Sequence, residues 1–373
     1  MFFLFKIMCQ NIGFISLVFS EKQLDHLVTR KLVGRPLFSW TLGTAIFSKL
    51  DQIVVLVSND SFKVTLEKEY HWASNVSFIN IQKNQFISNE VNISAILVDN
   101  NFPFQNVICI NPFGVIIESI DLNNCIDTLT KNECKDVYSI HGFTNQECTL
   151  NNQFTPKHID NFKIINIFYA FSNDISRNVT GFVPLSDNKI DTINYDNFTI
   201  IELKLIEKLK NKKHCAKISH LVLDVDGVFT DGCVYYDAHG ELAKKFDMRD
   251  GMGLEIVRQF DVEIVVITSE NSALVAKRME KLQIKHVFLG VKDKFSFLNR
   301  FVIDQQICFS NVAYMGDDVN DLANLCRVGW SFSPQNATDV VKNHVDIVLK
   351  NDSGNGAIRE LTSFIIKYNQ RIF

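Results

Sequence analysis

The chain lacks a charge excess, metal-ligand cysteine spacing and any long unbroken apolar run. Lys and Arg total 38 against 42 Asp and Glu, a net charge of -4. No cationic surplus exists to drive sequence-independent binding to nucleic acid, so a polyanion partner is not expected. The nine cysteines are odd in number and contain no CxxC pair, which points to neither a disulfide framework nor a zinc site. Reduced thiols in the cytoplasm or nucleus fit this usage. The apolar start MFFLFKIMCQNIGFISLVFS is interrupted by Lys6, Gln10 and Asn11 before the roughly 20 residues that a spanning helix needs. It reads as leading into a buried strand, Ile12 to Phe19, with no export and no membrane partner expected. Internal repeats and low-complexity tracts are also missing.

What is present is an ordinary globular composition, 46% hydrophobic and 21% charged over 373 residues, enough for two or three domains with real cores. After the first strand, RKLVGRPLFSWTLGTAIFSKL reads as a loop entering a helix, and DQIVVLVSND as a β-branched strand. Strands at NVICINP and DVYSIHGF, with a helix around Ile120 to Leu129, continue an α/β alternation. Asn151 to Asp196 is rich in Asn, Asp, Ser and Thr and yields only short strands such as Ile164 to Tyr169. A charged helix, IELKLIEKLKNKKHC, precedes a change of texture at His220. The boundaries read as a first domain over 1–209, a linker over 210–217 and a second domain over 218–373.

In the second half, HLVLDVD, VEIVVITS, HVFL, NVAYMGD, VGWSFS and VDIVL alternate with helical stretches beginning near Gly251, Asn271, Lys292, Asp318, Asn336 and Gly354. This predicts a parallel sheet with helices on both faces, in which ligands bind beyond the carboxyl ends of the strands. Acidic residues lie at those ends. Asp224 and Asp226 close LVLDVD, and strand periodicity places both on one side, roughly 7 Å apart. Like charges so close call for a cation, and hard carboxylate oxygens suit Mg2+. Asp317, Asp318 and Asp321 in GDDVND end a second apolar strand and could complete the metal shell. Thr268 ends a third strand, and Lys294 opens the helix after GVKDK.

Taken together, DVDGVFTDG, Thr268, Lys294 and GDDVND resemble the four motifs of the haloacid dehalogenase superfamily of phosphotransferases. The resemblance implies that Asp224 attacks phosphorus and that Asp226 protonates the leaving oxygen and later activates water. Mg2+ would be held by Asp224, the backbone carbonyl of Asp226 and Asp317, with Asp318 or Asp321 in support. Thr268 and Lys294 would bind the transferring oxygens, and Gly227 would let the chain leave the strand sharply beside a phosphate oxygen. Between the first two motifs there is room for one hairpin, turning at Ala238 to Gly240, and none for a large cap.

This capless form, with KKFDMRDGMG and the tail SGNGAIRE, is similar to phosphatases of 3-deoxy-manno-octulosonate 8-phosphate and sialic acid 9-phosphate. It is equally similar to the carboxyl-terminal domain of the N-acylneuraminate cytidylyltransferases, also called CMP-sialic acid synthetases. In those relatives the domain forms a homotetramer and the tail closes a neighbouring site. That assigns Arg249 and Asp250 to an acidic sugar and gives Gly354, Gly356 and Arg359 a place in the closure. A helix begun by glycine explains the same tail without ligand.

The first half is similar to the synthetase pattern at GRPLFSWTL, VSND and NPFGVIIESIDLNNCIDTL. Counting back from Gly34, Lys22 falls on the signature lysine of the nucleotide cradle, whereas Val18, Phe19 and Ser20 replace its arginine and glycines. In NKIDTINYD, Asp191 keeps one metal-binding aspartate and Lys189 replaces the other. With Asp60 of VSND, Lys22 and Asp191 are the residual nucleotide-domain residues. Apolar side chains supply neither close backbone approach nor charge for a triphosphate.

The fold class read here is α/β, with two Rossmann-like three-layer domains, nucleotidyltransferase-like and then capless haloacid dehalogenase-like. The leading function is a Mg2+-dependent phosphatase of a small acidic sugar phosphate. The alternatives are a working cytidylyltransferase using CTP and a non-catalytic assembly or regulatory subunit.

Overall fold

The structure is a computed structural model that describes residues 9–19, 22–82, 90–140, 164–174, 176–185 and 192–372. The chain forms two compact units, Met1–Lys31 with Pro36–Thr199, and Leu32–Arg35 with Ile200–Phe373.

In chain order the described residues first form β1 (Cys9–Ser16), α1 (Lys22–Thr29), β2 (Lys31–Leu32), β3 (Arg35–Pro36), α2 (Leu37–Ile46), β4 (Gln52–Val57), α3 (Asp60–Glu69) and β5 (Val76–Asn80). They are followed by α4 (Glu90–Asp99), β6 (Phe104–Ile110), α5 (Ser119–Lys131), β7 (Cys134–Ile140), β8 (Ile164–Ser172), β9 (Val179–Pro184) and α6 (Phe198–Asn211). Seven strands form one sheet in the order β5-β4-β1-β6-β8-β7-β9. The strands β5, β4, β1 and β6 run parallel, as the alternation predicts, but β8 is antiparallel to both β6 and β7. The first strand ends earlier than expected, at Ser16, because the Ser16 hydroxyl accepts from Val18 N at 3.3 Å and turns the chain locally. The expected helix around Ile120 is α5, where Asp121 accepts from Glu118 N at 2.8 Å at the helix start. Asp191 and Lys189 lie outside the described residues.

The second unit continues with β10 (His220–Leu223), the hairpin β11 (Tyr235–Asp237) and β12 (Gly240–Ala243), α7 (Met248–Arg258), β13 (Glu263–Ile267), α8 (Ala273–Lys281) and β14 (His286–Phe288). Next come α9 (Lys294–Asp304), β15 (Val312–Met315), α10 (Leu322–Arg327), β16 (Trp330–Ser333), α11 (Asp339–Lys342), β17 (Ile347–Val348) and α12 (Ala357–Ile372). Six of these strands make a parallel sheet in the order β14-β13-β10-β15-β16-β17. Period-two alternation sorts its core. Leu221, Leu223, Val266 and Met315 pack with Leu254 of α7, Met279 of α8 and Leu361 of α12, while Val222, Val265, Ile267 and Tyr314 pack with Leu298 and Phe301 of α9 and Leu325 of α10. Burying each such aliphatic side chain contributes about 1.5–3 kcal/mol, and the two-sided core holds the strand ends in a fixed frame. Among the described residues, no helix is long and apolar enough to cross a membrane.

Candidate active site

Each chemistry-bearing residue follows a strand of the parallel sheet or opens the helix after one. Asp224 follows β10, Thr268 follows β13, Lys294 opens α9 after β14, and Asp317 lies in the loop after β15. The sheet order makes β13, β10 and β15 neighbours, so their loops converge.

At the centre, Lys294 has no exposed side-chain surface and places Nζ 2.7 Å from Asp224 Oδ2 and 2.9 Å from Asp321 Oδ1. Asp224 Oδ1 accepts from Val225 N at 2.7 Å, which fixes the other edge of the carboxylate. The Tyr314 hydroxyl donates to Asp321 Oδ1 at 2.6 Å from within the core. One carboxylate oxygen each from Asp224, Asp317 and Asp321 lies within 4.8 Å of the others. Three acids therefore meet one ammonium in a largely buried space. Burial, followed by the charge of Asp224, pushes Asp317 up to about 7. Burial raises Asp321 as well, with Asp224 adding to it, although Lys294 opposes the shift. Burial would depress Lys294, yet Asp224 and Asp321 outweigh it and its pKa is raised. The ammonium is secure, and the acids remain in excess.

That excess is the test of fit for a divalent cation. Asp321 Oδ2 is buried and makes no hydrogen bond among the described residues, and the donors are hard oxygens at mutually short range, a set that suits Mg2+. Asp224, Asp317 and Asp321 are the side chains placed to hold it.

Two of the five expected acids stand apart from this group. The Asp318 side chain is exposed and caps the short turn at Val319–Asp321, accepting from Val319 N at 2.7 Å, so it is already committed to the backbone. Asp226 turns to Lys244 at 2.7 Å. Because β10 ends at Leu223, neither Asp224 nor Asp226 is a strand residue, and the expected period-two placement of the pair on one side does not govern them. Gly227 follows with φ +74°, and a Cβ there would come within 1.9 Å of Asp317 Oδ2. A side chain at 227 would strain the backbone and displace a carboxylate of the acidic group. Thr268 is buried at the end of its strand, its backbone N donating to Phe288 O and its hydroxyl accepting from Glu270 N.

The residues expected to touch a sugar divide in the same way. Arg249 is exposed and donates to Asp247 and to Asn355 Oδ1. Asp250, by contrast, is 1% exposed and accepts from Arg359 N at 2.8 Å at the start of α12. One oxygen of this carboxylate thus caps a helix end, while its Oδ2 is buried and makes no hydrogen bond among the described residues. Arg359 is half-buried, its backbone engaged by that cap. The glycine tail leans on its own chain, where Gly354 N donates to Val228 O at 3.4 Å, close to the loop after Asp226.

In the first unit, Lys22 is the first residue of α1, and Asp60 opens α3 and accepts from Asn80 Nδ2 at 2.7 Å.

Sequence reasoning gave no role to Tyr314 or Lys244. The first could be suspected as a phenol in the aliphatic strand VAYM, the second as a charge in a short hairpin beside the acidic loop. Neither signal says which acid each would meet.

A family profile for haloacid dehalogenase-like hydrolases matches residues 262–361. The 3-deoxy-D-manno-octulosonate 8-phosphate phosphatase KdsC of Haemophilus influenzae is 36% identical over 161 residues, 43% of this chain and 86% of that protein. The chain belongs to the haloacid dehalogenase-like hydrolases. The KdsC of Escherichia coli K12 is 34% identical to this hydrolase over 146 residues, 39% of this chain and 78% of that relative. Among solved structures, the cobalt-bound deoxy-D-mannose-octulosonate 8-phosphate phosphatase of Haemophilus influenzae shares 35% identity with a TM-score of 0.40, covering 42% of this chain and 91% of that one. The Moraxella catarrhalis 3-deoxy-D-manno-octulosonate 8-phosphate phosphatase, in complex with magnesium, phosphate and KDO, shares 31% identity with a TM-score of 0.40, covering 45% and 92%. The carboxyl-terminal half of this hydrolase is a phosphatase domain of the KdsC type, a phosphomonoester hydrolase.

Proposed function

We propose that this chain hydrolyses the phosphate monoester of a small acidic sugar, of the 3-deoxy-octulosonate 8-phosphate or sialic acid 9-phosphate type. The observation that carries the reading is the Lys294 ammonium bridging buried Asp224 and Asp321 beside Asp317. Relatives acting on 3-deoxy-D-manno-octulosonate 8-phosphate favour the first of the two sugars.

In this reading an Asp224 oxygen forms a bond to phosphorus as the bond from phosphorus to the sugar oxygen breaks, and Asp226 gives the leaving oxygen its proton. Water then attacks the aspartyl-phosphate, Asp226 takes its proton, and inorganic phosphate leaves with Asp224 regenerated. Lys294 and Thr268 offset the charge on the transferring oxygens. A bound Mg2+, held by Asp224, Asp317 and Asp321, supplies further charge neutralisation. Arg249, exposed near the tail, is the cation offered to the sugar carboxylate.

The domains proposed are 1–209 and 218–373, joined by 210–217. The first is a degenerate cytidylyltransferase-like domain, supported by the loss of the cradle glycines and arginine at Val18, Phe19 and Ser20. The same resemblance supports a homotetramer, which sedimentation would test. A phosphate-release assay on both sugars, with and without Mg2+, tests the function. Release that needs Mg2+ and disappears in Asp224→Asn is expected. Turnover of neither compound, or equal turnover in the variant, refutes the reading.

A further inference from the structure

The run GRPLFSWTL belongs to the first half of the sequence, yet its leading residues work elsewhere. Leu32–Arg35, spanning the turn from β2 to β3, clusters with the second unit. Gly34 has φ +78°, and a Cβ on it would lie 1.5 Å from Val319 O, so its backbone rests directly on the loop that carries Asp317 and Asp321. Val33 N donates to Glu202 Oε1 at 2.8 Å.

Arg35 goes deepest. It is 2% exposed, and its Nη2 donates to Asp293 Oδ2 and to Ser296 Oγ, both at 2.7 Å. Its guanidinium sits 4.9 Å from the centre of the Phe295 ring. Asp293 is the cap of α9, its Oδ1 accepting from Ser296 N at 3.2 Å, and the next residue is Lys294. The first turn of α9 is thus gripped from both sides, by Arg35 through Asp293, Phe295 and Ser296, and by Asp224 and Asp321 through Lys294.

A buried ion pair is weak support for stability, since desolvating both charges offsets much of their attraction. Its geometric effect is large. A cap that can rotate moves the neighbouring residue, and a displacement of about 1 Å at a reacting group can cost up to a hundredfold in rate. We propose that Arg35 is a positioning residue for Lys294, and through it for the Asp224 carboxylate, so that a segment from the first half of the sequence tunes the phosphatase centre. The proposal rests on the phosphatase reading above.

The test uses the full chain with Mg2+ and p-nitrophenyl phosphate. Arg35→Met should lower kcat about tenfold with KM changed less than about twofold, because Lys294 is displaced relative to charge that develops in the transition state. Arg35→Lys, which keeps the cation, should restore most of kcat. Arg35→Met removes the guanidinium paired with buried Asp293 and could unfold the chain, so Arg35→Met/Asp293→Asn provides the second arm. The asparagine retains an oxygen for Ser296 N while removing the charge. A double variant that melts with the wild type yet stays about tenfold down in kcat supports the proposal. A double variant with wild-type kcat overturns it, as does an Arg35→Met loss that only tracks the unfolded fraction. A wild-type chain that releases phosphate from neither p-nitrophenyl phosphate nor the two sugar phosphates overturns the phosphatase reading and the proposal with it, whereas an active wild type with an unchanged double variant overturns the proposal alone.

Discussion

Lys244 holds Asp226 at 2.7 Å with only 1% of its own side chain exposed. Glu241 takes the same ammonium at 3.1 Å and itself accepts from the Ser272 hydroxyl. The proposed acid/base is therefore fixed by a chain of contacts running from the β11–β12 hairpin to the residue before α8. Burial would depress Lys244, but Asp226 and Glu241 outweigh it and its pKa is raised. The anchor stays charged.

An anchored proton donor matters most when the leaving group is a poor one. Asp226→Asn should reduce kcat on an alkyl phosphate by at least about a hundredfold and on p-nitrophenyl phosphate far less, because nitrophenolate departs without a proton. Lys244→Met should show the same pattern to a smaller degree. Equal losses on both substrates, measured by steady-state phosphate release, would remove Asp226 from proton transfer.

The excess of acid over ammonium makes the metal a stabilising ligand. Mg2+ at about 100 times its Kd should stabilise the folded wild type by about 2.7 kcal/mol and raise Tm accordingly. Asp317→Asn should lose most of that response while folding normally without metal, since it removes one of the mutually repelling charges. Differential scanning calorimetry with and without Mg2+ reads both effects.

Asp250 gives a pH dependence unrelated to the metal. Burial pushes it from 3.8 up to about 6, so between those values the folded chain holds a proton that the unfolded chain has lost. Its contribution to stability is complete below about pH 4 and is lost as pH rises through about 6. Asp250→Asn keeps an acceptor for Arg359 N and cannot ionise. Its melting temperature should match the wild type near pH 4 and exceed it at about pH 8. A constant offset across that range would show that burial of the charge is not the cause.

Tyr314 makes a smaller and separable contribution. Tyr314→Phe removes one of the two partners of Asp321 Oδ1 within the core, and should cost about 1–3 kcal/mol of stability in urea unfolding. Because Lys294 still bridges Asp224 and Asp321, kcat should fall less than in any Lys294 variant. A larger kinetic loss than that of Lys294→Met would place the phenol in the chemistry.

Much of the second half was legible because its strands are short, apolar and β-branched and each ends in a polar residue. That pattern gives HLVL, EIVVI and VAYM as strands and leaves Asp224, Thr268 and Asp317 at their ends. Side-chain direction past a strand end was not legible. Periodicity stops at Leu223, so nothing local says that Asp224 turns to Lys294 while Asp226 turns to Lys244. Burial of Asp250 was hidden for a related reason, since its partner is a backbone amide more than a hundred positions away. In the first half, β8 reads as a strand but its antiparallel direction depends on which neighbours it meets, which a short apolar run does not encode.

The pairing of β10 with β15 sets Val222 beside Tyr314. Two chemistry-bearing loops become neighbours only after segments far apart in the chain have found each other, and the loop-closure entropy of that search must be met before any contact repays it. During refolding, collapse and helix formation should run ahead while the centre remains unassembled. Catalytic competence should return last, with the seating of that middle strand.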